Sequence, residues 1–328
     1  MAVYDAKNIV TTTLNVWSKD VHNSVINNNG VLYYFKNFGR LGLLGKSDEQ
    51  MGSIETKNGG KQIEEGVSLL DNTNVGFVAF NEAVGTAAVE VLDMAIFNWK
   101  FCYGNAVLYD AQIKMNADSK FRKHKLVETI VQNAEDTMIN AIGVGLWNTA
   151  DGDSIDGIPS LISDDGTTTT VGGLSTVTYP NWKNKFETLA ASHTFAQLEA
   201  SMSSLYRKCT RGKSAPDLIV TTSTLYGEYE AGLTTNKRFT SDKMADAGFQ
   251  SLKFNGAVFI FDESCPANRM YFLNTKSMAF NFHADAMFAV GEMEKEFGQQ
   301  KFAWPITSMC NLSIKNRRDH GVLVVAAS

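Results

Sequence analysis

The residues with the most recognisable potential for chemistry are Gly45, Lys46 and Ser47, which end the segment FGRLGLLGKS. A glycine-rich loop that ends in Gly-Lys-Ser can bind nucleotide phosphates through its backbone N–H groups and its lysine. That loop also requires a glycine five positions before Gly45, and this position is Arg40. A nucleotide-dependent enzyme using Gly45-Lys46-Ser47 is therefore only a remote alternative, and a glycine-containing arm is the simpler interpretation.

Aspartates that follow one another closely after residue 150 could in principle bind calcium. They are Asp151, Asp153, Asp156, Asp164 and Asp165. A calcium-binding EF-hand loop needs oxygen ligands at its fifth and twelfth positions. Counted from Asp151, those positions are Ile155 and Ile162. The pattern therefore predicts a solvated acidic loop rather than a calcium site.

Histidine and cysteine, the usual nucleophiles, bases and zinc ligands, are scattered along the chain. They are His22, His124, His193, His283 and His320, with Cys102, Cys209, Cys265 and Cys310. No two histidines are four residues apart, no CxxC pair occurs, and no HExxH or GxSxG motif is present. We predict no catalytic residue, no metal site and no cofactor, and we expect reduced cysteines.

Two short basic clusters remain, FRKHK at 121–125 and IKNRRD at 314–319. They lack the interleaved aromatic residues typical of single-stranded nucleic-acid grooves. The chain carries a net charge of −5, which argues against a large basic face for nucleic acid. Weak contact with phosphates and salt bridges across a subunit boundary are both open interpretations of these clusters.

The length of 328 residues is enough for about two domains, each with its own core. The first twenty residues are charged and lack the apolar stretch of a signal peptide, so no secretion is expected. No run of about eighteen apolar residues occurs, and no membrane association is expected.

The element that must organise the chain is a predicted helix at 118–147. Apolar residues recur along it every three to four positions: Leu126, Val127, Ile130, Val131, Ala134, Met138, Ala141, Ile142 and Leu146. Asp118 or Ser119 can cap its start, and Gly143 and Gly145 favour its end. At 1.5 Å per residue it spans roughly 40 Å, so it requires an extended surface to pack against. We predict a single spine that backs an elongated sheet in an α+β fold.

The other segments differ in how well they could pack on their own domain. Residues 1–50 form a predicted arm, and 51–85 form a long hairpin-like excursion with few large apolar side chains, which we expect to project and pack on a neighbour. A short helical stretch and two strands around Tyr103-Gly104-Asn105 precede the spine. Later signals are a capped helix at 195–210, a buried strand in PDLIVTTS and a hairpin at Asn255-Gly256.

The order of these elements resembles the major capsid proteins of tailed bacteriophages, which have the Hong Kong 97 capsid fold. The resemblance is carried by the arm, the excursion, and the spine that ends in GVGLWNTADGDSIDGIPSLI. It continues through TYPNWKNKF, SMSSLYRKC, PDLIVTTSTLYGEYE, LKFNGAVFIFDESCPANRMYFLNTKSMAF and SIKNRRDHGVL. These segments cover nearly the whole chain, and their specificity lies in their order and spacing.

The resemblance implies a division into subdomains. Residues 1–50 would be the N-terminal arm, 51–85 the E-loop, 86–150 with 270–314 the P-domain containing the spine, and 151–269 with 315–328 the A-domain with a returning C-terminal strand. Some family members form a covalent bond between an E-loop lysine and a distant asparagine. No matching asparagine is identified here, so that bond is not predicted.

The resemblance also implies a structural function without enzymatic activity. The chain would assemble with itself into hexamers and pentamers of an icosahedral phage head that encloses double-stranded DNA, within the virion capsid and after assembly in the host cytoplasm. A separate scaffolding protein, a portal and possible decoration proteins are expected partners, with non-specific DNA contact and no membrane. An encapsulin-type nanocompartment shell is the alternative. Candidate intersubunit contacts are Lys57, Lys61, Glu64, Glu65, Arg122, Lys123, Lys125, Arg317 and Arg318.

Overall fold

The computed structural model describes most of the chain after residue 53. The described residues are 31, 54–72, 74–77, 80, 90–115, 120–149, 152–166, 170–233, 252–292, 294–295 and 300–327. Helices and sheets are mixed, which confirms the predicted α+β class. Apart from Val31, the predicted arm, including Gly45-Lys46-Ser47, lies outside the described residues.

The strands in the described part are β1 (Ile54–Lys57), β2 (Gln62–Ser68), β3 (Leu92–Asn98), β4 (Lys100–Tyr109), β5 (Thr170–Val171), β6 (Leu174–Ser175), β7 (Lys185–Leu189), β8 (Leu218–Thr221), β9 (Leu252–Phe254), β10 (Ala257–Phe261), β11 (Arg269–Leu273), β12 (Met278–His283), β13 (Ala289–Val290), β14 (Glu294–Lys295), β15 (Lys301–Ile314) and β16 (Gly321–Val325). The α-helices are α1 (Asp110–Met115), α2 (Lys120–Gly145), α3 (Ile158–Leu161), α4 (Phe195–Cys209) and α5 (Ser223–Gly232). Short 3₁₀ helices occupy Pro180–Trp182, Thr275–Ser277, Ala284–Ala286 and Arg317–Asp319.

The chain divides into two compact units. The first comprises the described residues within Met1–Lys61, Trp99–Gly157 and Phe280–Asn311, and the second those within Gln62–Asn98, Ile158–Ala279 and Leu312–Ser328. These borders differ from the predicted subdomain borders, since the described residues within 62–98 and 270–279 group with the second unit. The division into arm, E-loop, P-domain and A-domain stays a prediction.

The first unit is built on a sheet with the strand order β1-β12-β15-β13, in which β4 and β14 also pair with β15. Strand β1 runs parallel to β12, and β4 runs antiparallel to β15 along ten residue pairs. Helix α2 packs on β4 and confirms the predicted spine, although it begins and ends two residues inside the predicted bounds. Its buried residues include Val127, Val131, Met138 and Ile142 at helical spacing.

A single strand replaces the two that we predicted around Tyr103-Gly104-Asn105. Strand β4 runs through Gly104 without a turn. A Cβ atom on Gly104 would lie 2.7 Å from Met138 Sδ. The absence of a side chain at Gly104 therefore permits α2 to approach the sheet closely. The prediction of a turn was wrong because a glycine within a strand-like pattern is compatible both with a turn and with the close approach of another element.

The second unit contains a six-stranded sheet in the order β7-β16-β11-β8-β10-β9. The pairs β7/β16 and β8/β10 are parallel, and the others are antiparallel. Helices α4 and α5 cover this sheet and bury Leu198, Met202, Leu205, Tyr226 and Tyr229 in one apolar core. Two of these elements were predicted from sequence, the helix at 195–210 as α4 and the buried strand in PDLIVTTS as β8.

Local signals of the second unit are confirmed at residue level. The Thr194 side chain accepts a hydrogen bond from the Gln197 N–H, and the Gln197 side chain accepts one from the Thr194 N–H, which forms the predicted capping box of α4. Asn255 and Gly256 both have positive φ angles, 47° and 91°, as the predicted tight hairpin between β9 and β10 requires.

Candidate assembly surfaces

The hairpin formed by β2 and β3 extends beyond the predicted excursion of 51–85 and has two different faces. Its strands pair from Gln62 opposite Asn98 to Ser68 opposite Leu92. Strand β3 lies in the segment where a short helical stretch was expected. One face is buried in the second unit, with Ile63, Val67 and Phe97 almost fully covered. The expectation that most of the excursion at 51–85 cannot pack on its own domain was therefore wrong for β2.

Hydrogen bonds hold the hairpin to its own unit. The Ile96 N–H donates to the Gly172 carbonyl at 2.9 Å, and Tyr179 Oη donates to Asp93 Oδ2 at 2.8 Å. Gly172 has a φ of +61°, and a Cβ there would lie 3.0 Å from the Phe97 ring. The turn between β5 and β6 therefore needs glycine to pack against β3.

The outer face of β3 presents a row of apolar side chains, Leu92, Met94 and Ile96, which we call the β3 stripe. These three are between 41% and 81% exposed, and their cross-strand neighbours are Ser68, Gly66 and Glu64. Water therefore contacts large apolar side chains over three successive outward positions of a strand. Contiguous exposed apolar surface makes the β3 stripe a candidate interaction site.

A second apolar row follows the exposed face of β4 in the first unit. It contains Phe101, Tyr103, Val107 and Tyr109, which we call the β4 stripe. The three aromatic residues are 56% to 76% exposed. At ~200 Å² per aromatic side chain they leave roughly 400 Å² in water. That area equals about half of what one partner contributes to a standard protein interface.

The candidate contact residues of the hairpin segment have different environments. Lys61 and Glu64 are exposed and Lys57 is half-buried, whereas Glu65 is buried. Ser313 Oγ donates to Glu65 Oε1 at 3.1 Å, and Lys315 Nζ lies 3.8 Å from Glu65 Oε2. Glu65 therefore stabilises its own unit, which corrects its assignment as an intersubunit contact.

The two arginines of the IKNRRD cluster also have opposite environments. Arg317 is fully buried, and its guanidinium donates to the Leu161 and Trp182 carbonyls and to Asn184 Oδ1. Burial lowers the pKa of Arg317 to about 10. The hydrogen bonds of Arg317 stabilise the interior of the second unit. Because Arg317 has no exposed surface, its assignment as an intersubunit contact is corrected.

Arg318 is half-buried and lines a cleft in the second unit. Arg211 and Lys315 line the same cleft, which has a volume of about 240 Å³. Arg318 was predicted from its sequence cluster but Arg211 was not, since residues separated by more than one hundred positions show no common pattern. Arg122, Lys123 and Lys125 belong to the first turns of α2, and their side chains lie outside the described residues.

His320 is buried near Arg317, in surroundings that disfavour protonation of its imidazole. Its Nδ1 accepts a hydrogen bond from the Asn274 N–H at 3.2 Å, and the ring is fully buried. Burial is the main cause that lowers the pKa of His320 from 6.5 to about 3, and the nearby Arg317 charge adds to it. The imidazole is therefore neutral in the folded chain at ordinary pH.

Acidification is expected to weaken the second unit through His320. Between pH 6.5 and pH 3 the unfolded chain binds a proton on this side chain and the folded chain does not, so stability falls as pH falls. The contribution is at most about 1.4 kcal/mol per pH unit. Urea unfolding at pH 7.5, 6.5 and 5.5 should show a steeper loss for the wild type than for His320→Gln. A His320 imidazole that titrates above pH 6 by NMR would contradict this expectation.

Two aspartates of the aspartate-rich segment form hydrogen bonds with side chains elsewhere in the chain, so this segment is not simply a solvated loop. Asn311 Nδ2 donates to Asp156 Oδ2 at 2.7 Å in the first unit. In the second unit Arg269 Nε donates to both carboxylate oxygens of Asp164 at 2.9 Å. Across the described residues, no group of three or more histidine, cysteine or acidic side chains is arranged to hold a metal ion.

The four cysteines are all free thiols. Cys209, Cys265 and Cys310 are buried, and Cys102 is half-buried. Burial raises the pKa of Cys209 and of Cys310 to about 12 and also raises that of Cys265 and Cys102.

No helix in the described part is long and apolar enough to span a membrane.

Comparison with known proteins finds similarity in structure alone. No protein-family profile and no curated protein matches the sequence. Among solved structures, a chain from the Cyanophage A-1(L) capsid asymmetric unit matches with a TM-score of 0.65 and 16% identity, over 83% of this chain and 89% of that one. A chain from the capsid of a native GTA particle matches with a TM-score of 0.56 and 12% identity, over 90% and 99%.

An encapsulin has a similar but weaker match. The SrpI encapsulin of Synechococcus elongatus PCC 7942 aligns with a TM-score of 0.52 and 8% identity, over 85% of this chain and 91% of that one. Such identities establish a common fold and no more. The chain thus has the Hong Kong 97-like capsid fold, which was predicted from the order of its elements.

Proposed function

We propose that this chain is a major capsid protein, many copies of which assemble through hexamers and pentamers into an icosahedral phage head enclosing double-stranded DNA. The observation that carries the proposal is the exposure of the β3 and β4 stripes on a chain with a capsid fold. In an isolated chain these stripes contact water, and packing copies together would bury them. The role is structural and non-enzymatic, in the virion capsid, after assembly in the host cytoplasm.

The subdomain division is part of the proposal. Residues 1–50 act as the N-terminal arm and 51–85 as the E-loop, with the P-domain at 86–150 and 270–314 and the A-domain in the remainder. Intersubunit contacts are proposed for the exposed or half-buried candidates Lys57, Lys61, Glu64 and Arg318, and for Arg122, Lys123 and Lys125.

The remaining partners are a separate scaffolding protein, a portal, possible decoration proteins and the packaged DNA. Contact with DNA is non-specific and weak. The net charge of −5 supports this, because strong phosphate binding requires many uncompensated cations. Weak contact also suits DNA that must be packed densely and later released.

An encapsulin-type shell that holds enzymes is the second candidate, supported by the match to the SrpI encapsulin. The two functions differ in what the gene neighbourhood encodes. Portal and terminase genes beside this gene favour a phage head, whereas a gene for a peroxidase or a ferritin-like protein favours a nanocompartment.

Negative-stain electron microscopy of the expressed protein tests the proposal directly. We expect ring-shaped capsomers or closed shells, and a sedimentation profile that shifts to larger species as concentration rises. A stable monomer that never assembles, even with the scaffolding protein encoded nearby, would exclude the capsid function.

A further inference from the structure

The cleft that contains Arg211, Lys315 and Arg318 has an excess of positive charge. We call it the basic cleft. Residues 66–71, which are the end of β2 and the chain that follows, also line it, and Asp71 is the carboxylate among its lining residues. Three cations therefore converge on a space of about 240 Å³ beside one carboxylate.

The charges of the basic cleft are incompletely neutralised by the chain. Lys315 lies 3.8 Å from Glu65, an ion pair at the limit of direct contact. The guanidinium groups of Arg211 and Arg318 have no hydrogen-bond or ion-pair partner among the residues that the structure describes. Two planar donors with unused N–H groups therefore face the same small space.

Two further lysines, Lys185 and Lys208, lie near Arg318 but outside the cleft. The pKa of the neighbouring Lys185 is lowered, first by burial and then by the charges of Arg318 and Lys208. The Glu187 carboxylate is occupied by Lys208, with which it forms an ion pair. An added anion would therefore be attracted to the cleft mainly by its three lining cations.

The volume and chemistry of the cleft suit a carboxylate side chain. A space of about 240 Å³ has room for one such group. Arginine guanidinium groups bind carboxylates through two parallel hydrogen bonds. The chain itself is a source of carboxylates, with 35 acidic residues against 30 lysines and arginines.

We propose that the basic cleft of one copy binds a carboxylate side chain of a second copy of this chain. The proposal rests on the proposed function, because it requires copies to pack side by side. The cleft adjoins the β2–β3 hairpin, so a copy packed on the β3 stripe would lie beside it. The charge pair fixes the register of that contact, while the apolar stripe supplies most of the buried area.

Zero-length cross-linking of assembled protein tests this proposal. Equal amounts of ¹⁴N-labelled and ¹⁵N-labelled chains are assembled together and treated with a carbodiimide, which joins a lysine amine to a carboxylate in contact with it. Mass spectrometry should detect Lys315 peptides cross-linked between a light and a heavy chain. A Lys315–Glu65 bond within one chain serves as the internal control, since it joins peptides of the same label.

A charge-matched pair of variants gives a second measurement. The double variant Arg211→Gln/Arg318→Gln should assemble roughly tenfold less at equal concentration, with an unchanged unfolding midpoint. The control Arg207→Gln/Lys213→Gln removes the same charge from exposed residues outside the cleft and should assemble normally.

The outcomes separate this proposal from the capsid function. Shells without mixed-label Lys315 cross-links, or equal assembly of the two double variants, would overturn the carboxylate contact and leave the capsid function intact. If inorganic phosphate raises the melting temperature of the dispersed chain while mixed-label cross-links stay absent, the cleft is a small-anion site and the proposal is wrong. Absence of any assembly of the wild type would instead refute the capsid function.

Discussion

Replacing Arg317 with alanine is expected to destabilise the second unit by roughly 3 kcal/mol, which is the largest effect we expect from a single substitution in this chain. The arginine is fully buried and donates to the Leu161 and Trp182 carbonyls and to Asn184 Oδ1. Alanine leaves these three oxygens without that donor and opens a cavity. The desolvation cost of the buried cation disappears with it, so the loss is smaller than the sum of three broken hydrogen bonds.

Urea unfolding followed by tryptophan fluorescence measures this effect, because Trp182 is fully buried beside Arg317. The matched control is Arg318→Ala, which changes the neighbouring arginine and should alter stability by less than about 0.5 kcal/mol. Arg317→Met fills most of the volume without hydrogen bonds and should remain destabilised. Equal unfolding midpoints for Arg317→Ala and Arg318→Ala would contradict the internal role of Arg317.

The double variant Phe101→Thr/Tyr103→Thr is expected to reduce assembly by at least about a hundredfold while the chain stays folded. Each aromatic side chain contributes about 1.5–3 kcal/mol when it is fully buried, so losing two at an interface costs several kcal/mol. Both residues are largely exposed in the isolated chain, and threonine keeps a high strand propensity at each position. The folded chain should therefore lose little stability.

Sedimentation velocity over a concentration series measures the assembly loss, and urea unfolding verifies the fold. Phe186→Thr replaces an exposed phenylalanine in β7, outside both stripes, and serves as the control. Assembly of the double variant at wild-type concentrations would show that the β4 stripe is not an interface.

The elements predicted best were those whose signals are local. The spacing of apolar residues predicted α2 to within two residues at each end, because an exposed helix alternates polar and apolar faces over many turns. The capping box at Thr194 and the tight turn at Asn255-Gly256 were also correct. In both, the residues that define the feature lie within three positions of each other.

Features that depend on distant parts of the chain were missed. The segment LDMAIFN forms β3, but both of its faces carry apolar side chains, so the two-residue period of a strand is hidden. Gly104 was interpreted as a turn because its neighbour Met138 belongs to another element. Adjacent Arg317 and Arg318 are chemically identical in sequence, and only the packing of Trp182 and Asn184 around the first distinguishes them.

The candidate contact residues show the same limit. Charge and position selected Arg318, which lines the basic cleft, but also Glu65, which is buried beside Ser313. The β3 and β4 stripes were not selected at all, although the alternation of Phe101 and Tyr103 with smaller residues was a usable signal. Alternation alone does not reveal which face of a strand remains uncovered.

The burial of the thiols has a practical consequence for studying assembly in solution. Thiolates are the species that react with maleimides and disulfide reagents, and the raised pKa values of Cys209 and Cys310 keep these side chains protonated. A cysteine newly introduced at an exposed position outside the stripes and the basic cleft, such as Lys213, would react far faster than the buried natural thiols. Once the half-buried Cys102 is replaced, fluorophores attached there would report the distance between neighbouring copies without removal of the three buried cysteines.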